Sequence, residues 1–67
     1  MNLFVNDIIE SISESFTSGE KFQITNIKTI SGNLHATIIN LRDKNSEFTV
    51  ALSVLEDKNR FKVVKKF

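Results

Sequence analysis

Apolar residues near the N-terminus recur at the spacing of an α-helix. On a helical wheel five of them fall within an arc of about 100°, the width of a stripe that faces a protein core: Val5, Ile8, Ile9, Ile12 and Phe16. Asn2 is a suitable N-cap, and Gly19 stands where helices commonly place a terminating glycine. The pattern predicts an amphipathic helix over residues 3–17.

After Gly19, apolar and polar residues alternate, which is the period of a β-strand. Turn-forming residues divide this region and predict four strands, at about residues 21–30, 33–41, 47–55 and 60–67. Because the connections are short, each strand is expected to run antiparallel to the preceding one. The expected fold is therefore α+β: a single domain of residues 1–67, with the N-terminal helix packed on a four-stranded antiparallel meander.

The sequence Leu-x-Asp-Lys-Asn occurs twice, at residues 41–45 and 55–59. Successive turns of a meander lie at opposite ends of the sheet, so the two copies are not expected to form one site. Asp begins a turn by accepting backbone hydrogen bonds, and Asn tolerates the left-handed conformation that closes it. We interpret the repeat as turn chemistry used twice.

The pairing of the first two strands predicts an apolar surface on the side of the sheet away from the helix. A register around Ser31-Gly32 that sets Ile27 opposite Ala36 in the core turns four other side chains to the opposite face: Phe22, Ile24, Ile39 and Leu41. Such a patch is typical of a surface that binds another protein or a second copy of the chain. The alternative is a β-bulge near Asn26, which returns these residues to the core.

Charge is unevenly distributed, although the formal net charge is only +1. Residues 1–20 contain four acids and no Lys or Arg, whereas residues 21–67 contain nine bases and four acids. The C-terminal strand carries the one basic cluster: Arg60, Lys62, Lys65 and Lys66. Such a cluster is suited to nucleic-acid phosphates, but lysines on an edge strand also discourage aggregation. The sequence lacks Trp and Tyr, which commonly stack on single-stranded bases, and this favours the second interpretation.

The residue inventory disfavours an enzyme. There is no cysteine, His35 is the only histidine, and two glycines are too few for a phosphate-binding loop. We therefore predict no catalytic residue, no metal ligand and no cofactor. The N-terminus does not resemble a signal peptide, and no apolar stretch approaches the roughly 20 residues of a membrane span. A cytoplasmic protein without a membrane partner is expected.

Two functions remain after these exclusions. The favoured one is a small protein-binding module, an inhibitor or adaptor that occupies a surface of a larger host protein, with a homodimer through the outer apolar face as a further expectation. Abundant Ile, Lys and Asn against two Arg are typical of an AT-rich genome and, by association, of a phage or plasmid. The alternative is a nucleic-acid-binding module that uses the basic C-terminal strand.

Overall fold

The computed structural model describes residues 3–12 and 19–67. Five strands and one short helix follow in chain order: β1 (Ile8–Ser11), β2 (Lys21–Ile30), β3 (Asn33–Asn40), β4 (Glu47–Ala51), α1 (Leu52–Leu55) and β5 (Phe61–Lys65). The strands form one sheet in the order β4-β3-β2-β1-β5, and every neighbouring pair is antiparallel. The first and last strands therefore lie side by side.

The N-terminal segment contains a turn and a strand, so the predicted fold, a helix over residues 3–17 packed on a four-stranded meander, is wrong. Asn6 has a φ of 80°, and the carboxylate of Asp7 accepts a hydrogen bond from the N–H of Phe4 at 2.9 Å. These features close a turn immediately before β1. Ile8 and Ile9 then continue in the extended conformation that β-branched residues favour. Residues 13–17 of the predicted helix lie outside the described residues.

The two-residue period of β1 is hidden in the sequence because its inner face is largely polar. Burial alternates along the segment: Asp7, Ile9 and Ser11 are buried, whereas Ile8 and Glu10 are partly exposed. A hydropathy pattern assigns the two buried polar residues to the solvent. The remaining apolar residues then fit a helix better than a strand.

The predicted strand over residues 47–55 consists of a strand followed by one helical turn. β4 ends at Ala51, and Leu52 and Leu55, three residues apart in α1, are both buried. The chain reverses at α1, and β5 then joins the opposite end of the sheet beside β1. The expected antiparallel pairing of the last two predicted strands is therefore wrong.

β2 and β3 form the predicted hairpin, with the bulge that was the alternative for this pair. Ser31 and Gly32 have φ values of 51° and 82°, which fit a two-residue hairpin turn. Ile27 pairs with Ala36 as predicted. Closer to the open end the register shifts between Ile24 and Asn26, as one additional residue in β2 requires.

This bulge moves half of the predicted outer apolar surface into the core. Phe22 is 3% exposed and Ile24 is fully buried. Ile39 and Leu41 are half-buried, and Ile39 lies on the face opposite to its buried neighbour Ile38. The expected apolar surface of these four residues is therefore not formed.

The core joins one face of the sheet to α1 and to the segment before β1. Its buried members come from every strand except β4: Leu3, Ile9, Phe22, Ile24, Ala36, Ile38, Leu52, Leu55 and Phe61. Phe22 makes edge-to-face contacts with Phe48 and Phe61, at centroid distances of 6.2 and 6.3 Å. Ile12, which the predicted helical stripe placed in the core, is 41% exposed, and Phe67 at the end of the last predicted strand is 90% exposed.

Both Asp-Lys-Asn sequences form turns of the same kind. The Oδ1 atom of Asp43 accepts a hydrogen bond from the N–H of Asn45 at 3.1 Å, and Asp57 accepts one from Asn59 at 2.9 Å. These bonds confirm that the repeat is turn chemistry. Neither Asn has a positive φ, so the expected left-handed conformation is absent.

Because Ile24 is buried more deeply than Ile39, the same small substitution should lower the free energy of unfolding by different amounts at the two positions. Ile24→Val should lower the free energy of unfolding by about 0.5–1.5 kcal/mol, because it removes a methylene from a closed core. Ile39→Val is the matched control and should cost less, since its side chain is only half-buried. Urea unfolding measures both variants. Equal costs, or a larger cost at Ile39, would contradict the observed register.

Candidate binding surface at the edge of strand 5

The basic cluster lies on or beside β5, which stands at one end of the strand order. Three of its four bases contact carboxylates: Arg60 with Asp57 at 3.4 Å, Lys62 with Glu10 at 3.9 Å, and Lys66 with Asp7. Lys65 forms no ion pair within the described part of the chain. Glu10 and Asp7 belong to the acidic N-terminal part, so the uneven charge of the sequence is partly an attraction between chain ends.

Asp7 binds the C-terminal residues to the start of β1. Its Oδ1 atom accepts the N–H of Phe67 at 3.0 Å, and its Oδ2 atom accepts the N–H of Phe4 at 2.9 Å and a bond from the Nζ of Lys66. The same Nζ lies 5.0 Å from the centroid of the Phe4 ring, within the range of a cation–π contact. We call these four residues the C-terminal clasp.

The clasp favours the ionised form of Asp7. Burial alone raises the pKa of this carboxyl, because it removes the charge from water. Hydrogen bonds from Lys66, Phe67 and Phe4, together with the charge of Lys66, oppose that effect. The net pKa of Asp7 lies below its ordinary value of 3.8.

The hydrogen-bonding pattern between β1 and β5 identifies which backbone groups of β5 point away from β1. The N–H of Ile12 donates to the C=O of Arg60 at 2.9 Å, and the ladder continues through the pair Glu10–Lys62. Hydrogen-bonded and non-hydrogen-bonded pairs alternate in an antiparallel ladder. Val63 therefore occupies a non-hydrogen-bonded position, and its own N–H and C=O point towards the open edge of β5.

Phe61 has the same orientation as Val63, two residues along the strand. Its N–H bonds to the C=O of Asp57 at 3.0 Å, within the turn that precedes β5. Its C=O points to the open edge. No described strand lies on this side of β5. Along this edge, the backbone groups available to a further strand are therefore the N–H and C=O of Val63.

An apolar groove of about 370 Å³ adjoins these backbone groups. Its lining joins the segment before β1, the end of α1 and β5: Leu3, Leu55, Glu56, Lys58, Phe61, Lys62 and Val63. Three of the apolar members are buried core residues, whereas Val63 is 46% exposed at the rim. We call this groove and the neighbouring N–H and C=O of Val63 the β5 edge groove.

The β5 edge groove contains one residue of the predicted basic cluster and none of the predicted outer face. Lys62 lines it, while Lys65 lies further along the same strand. Leu3 and Leu55 were missed as site residues because they are distant in the sequence and meet only through the fold. The sequence feature that could have indicated this site is the alternation of bases and apolar residues after Arg60, which is typical of an edge strand.

Among the described residues, His35 and the Asp and Glu side chains do not form a second candidate site. The Nδ1 atom of His35 lies 3.0 Å from the C=O of Asn33. Within residues 3–12 and 19–67, no three His, Asp or Glu side chains are grouped so that they could hold a metal ion. No helix in those ranges has the length and apolar character needed to cross a membrane.

Comparisons of the chain with models of protein families, with curated proteins and with solved structures found no match. The β5 edge groove is therefore assigned from its geometry alone.

The C-terminal clasp predicts how stability depends on pH. The pKa of Asp7 is lowered in the folded protein. Its contribution to the free energy of unfolding is therefore fully present above the ordinary pKa of 3.8 and is lost as pH falls through the lower folded pKa. Asp7→Asn should lower the free energy of unfolding by about 1.5–3 kcal/mol near neutral pH, the range for a hydrogen bond to a charged group. The difference from the wild type should narrow below pH 3.8.

Urea unfolding at a series of pH values measures this difference. Asp43→Asn is the control, because an exposed turn carboxylate can be replaced there by an amide that accepts the same hydrogen bond. It should change stability little at any pH. A cost for Asp7→Asn that stays constant from neutral to acidic pH would contradict the role of the ionised carboxylate.

Proposed function

We propose that this chain is a non-catalytic protein-binding module, an inhibitor or adaptor that acts in the cytoplasm by occupying a surface of a larger protein. The observation that supports this function is the β5 edge groove, where backbone groups at an open strand edge adjoin an apolar groove. Open sheet edges bind segments of other proteins through main-chain hydrogen bonds, and neighbouring pockets supply specificity. The β5 edge groove contains both of these parts.

Burial in the groove provides the attraction for such a partner. Val63 is an exposed aliphatic side chain beside the buried Leu55 and Phe61. A partner side chain that covers it removes apolar surface of both molecules from water. Full burial of one aliphatic side chain contributes about 1.5–3 kcal/mol. A domain of this size without disulfides also gains stability when a partner binds only its folded state.

The proposed contact surface, the β5 edge groove, differs from the outer sheet face that the sequence predicts. Phe22 and Ile24 are in the core, so a homodimer through the outer face no longer has the surface on which it depended. The basic strand stays part of the proposed surface: Lys62 borders the groove although its side chain lies on the opposite face of β5 from Val63, and Lys65 lies further along the strand.

The surface is tested by substituting its exposed aliphatic residue. Val63→Arg should abolish retention of the partner when the immobilised chain is exposed to a lysate of its native host, because a charge replaces apolar contact area. Leu34→Arg is the matched control, since Leu34 is an aliphatic strand residue of similar exposure, 44% against 46%. It should retain the partner.

Circular dichroism and thermal melting should show that both variants are folded. Proteins retained by the wild type are identified by mass spectrometry. A partner that binds Val63→Arg as well as it binds the wild type would overturn the proposed surface. If Leu34→Arg alone loses the partner, the binding surface lies at the hairpin end of β3 instead.

Nucleic-acid binding is the second candidate function. Its supporting observation is that the exposed bases Lys62 and Lys65 lie on one edge strand. The ion pairs of Lys62 and Lys66 with Glu10 and Asp7 reduce the charge available to phosphates. The protein-binding function is therefore preferred.

A salt titration separates the two functions. Charge-driven contacts with phosphates weaken steeply between 50 and 200 mM salt. Fluorescence anisotropy with duplex DNA, single-stranded DNA and RNA should detect weak binding at the lower concentration and none at the higher one. Tight binding at 200 mM salt that is lost in a Lys62→Ala, Lys65→Ala double variant would favour nucleic acid as the partner.

A further inference from the structure

The β5 edge groove also specifies the chemistry and conformation of the segment that it binds. We propose that it takes an extended acidic segment of another protein, which adds as a strand beside β5 and places an aliphatic side chain in the groove. This inference rests on the proposed function and names the partner chemistry at the same surface.

The backbone of β5 determines the extended conformation of the ligand. The N–H and C=O of Val63 point outward together, as in a position ready to form a hydrogen-bonded pair with a further antiparallel strand. A helical ligand has no free backbone N–H groups to match them, because its own turns use those groups. An extended segment can form both hydrogen bonds with Val63.

The direction of the side chains determines where the ligand is apolar. Val63 lies on the same face of β5 as the buried Phe61, because side chains alternate along a strand. A ligand residue directly opposite Val63 projects from that face as well. It therefore enters the groove against Leu55, where an aliphatic side chain is favoured.

The two ligand residues beside this aliphatic one project from the opposite face of the sheet. Lys62 lies on that face, paired with Glu10 across the strands, and its side chain is 59% exposed. Lys65 pairs with Ile8, which alternates with the buried Ile9 and so faces the same way. The ion pair between Lys62 and Glu10 is 3.9 Å long, and Lys62 is largely exposed, so the pair contributes little. Acidic residues on both sides of the aliphatic one complement these lysines.

The same charges disfavour a second copy of the chain as the ligand. Residues 58–66 contain five bases and no acid. Two β5 strands paired with each other would bring these bases together, and like charges at close cross-strand positions are destabilising. Lysines on an edge strand act in this way against self-association. An acidic segment of a different protein meets no such repulsion.

The probe for this inference is a phage-displayed library of random linear peptides, selected on the immobilised wild-type protein at low salt. Enriched peptides should share an aliphatic residue with an acidic residue on each side. The most enriched peptide is then synthesised, and its affinity for variants of the protein is measured by isothermal titration calorimetry. Enrichment of basic peptides, or of peptides with no shared pattern, would overturn the inference.

Val63→Pro is the variant that tests strand addition. Proline removes the outward N–H, and it is tolerated on an edge strand where that N–H faces solvent. The variant should fold, as checked by circular dichroism, yet bind the peptide at least about tenfold more weakly, a loss of roughly 1.4 kcal/mol. Val63→Thr keeps the N–H and should bind within a few-fold of the wild type.

Charge recognition is tested by Lys65→Glu, with Lys28→Glu as the control. Both change one exposed lysine to glutamate, but Lys28 lies on β2 and pairs with His35 on β3. Only Lys65→Glu should weaken binding of the peptide, by several-fold at low salt. Equal effects of the two variants would overturn the acidic specificity.

The remaining outcomes separate this inference from the proposed function. If the partner depends on Val63 in the lysate experiment but neither partner nor peptide is weakened by Val63→Pro, protein binding stands and strand addition is wrong. If Val63→Arg leaves the partner bound, the proposed function at this surface fails as well. A wild type that dimerises in sedimentation equilibrium, and becomes monomeric with Val63→Pro, would identify a second copy as the occupant and overturn the acidic ligand.

Discussion

The pairing of β1 with β5 is the interaction on which the rest of the structure depends. β5 reaches the sheet only through β1, and β1 links it to the hairpin of β2 and β3. Ile9 lies at this junction, fully buried and paired with both Phe22 and Val63. Without this pairing β5 would have no neighbour among the described strands, and the core would lose Phe61.

A buried charge stabilises this junction, although buried charges are usually costly. Asp7 is 1% exposed, and its carboxylate has partners on both oxygens. Lys66 is half exposed and keeps much of its hydration, so the cost of desolvation falls mainly on Asp7. The arrangement selects one position for the chain end, because an apolar residue in place of Asp7 could not bind the N–H of Phe67.

The same strand order creates the β5 edge groove. Because the chain reaches the far end of the sheet after α1, β5 is paired with β1 on one edge and has no described strand on the other. The segment before β1 and the end of α1 then flank the open edge, with Leu3 and Leu55 as apolar lining. The two lysines at the end of this strand differ in their contacts. Lys66, directly after β5, contacts Asp7, whereas Lys65 forms no ion pair within the described residues.

The sequence by itself determined the elements whose causes are local. β2 and β3, the Ser31-Gly32 turn and both Asp-Lys-Asn turns follow from alternation and turn chemistry within a few residues. Local chemistry also placed Ile27 opposite Ala36, and it offered the bulge as one of two alternatives for Phe22 and Ile24. For the candidate site, the sequence indicated the basic edge strand but not the groove beside it.

Only the tertiary structure determined that β1 is a strand, that α1 is a helical turn and that β1 is the neighbour of β5. Two of the three partners of the buried Asp7 carboxylate come from residues 59 and 60 positions away, and no local pattern contains them. With Asp7 and Ser11 taken as solvent-facing, the N-terminal apolar residues matched a helix. The short connection after residue 55 suggested a hairpin, but burial of both Leu52 and Leu55 favours a helical turn that ends β4. Long-range burial therefore outweighed local periodicity wherever the two disagreed.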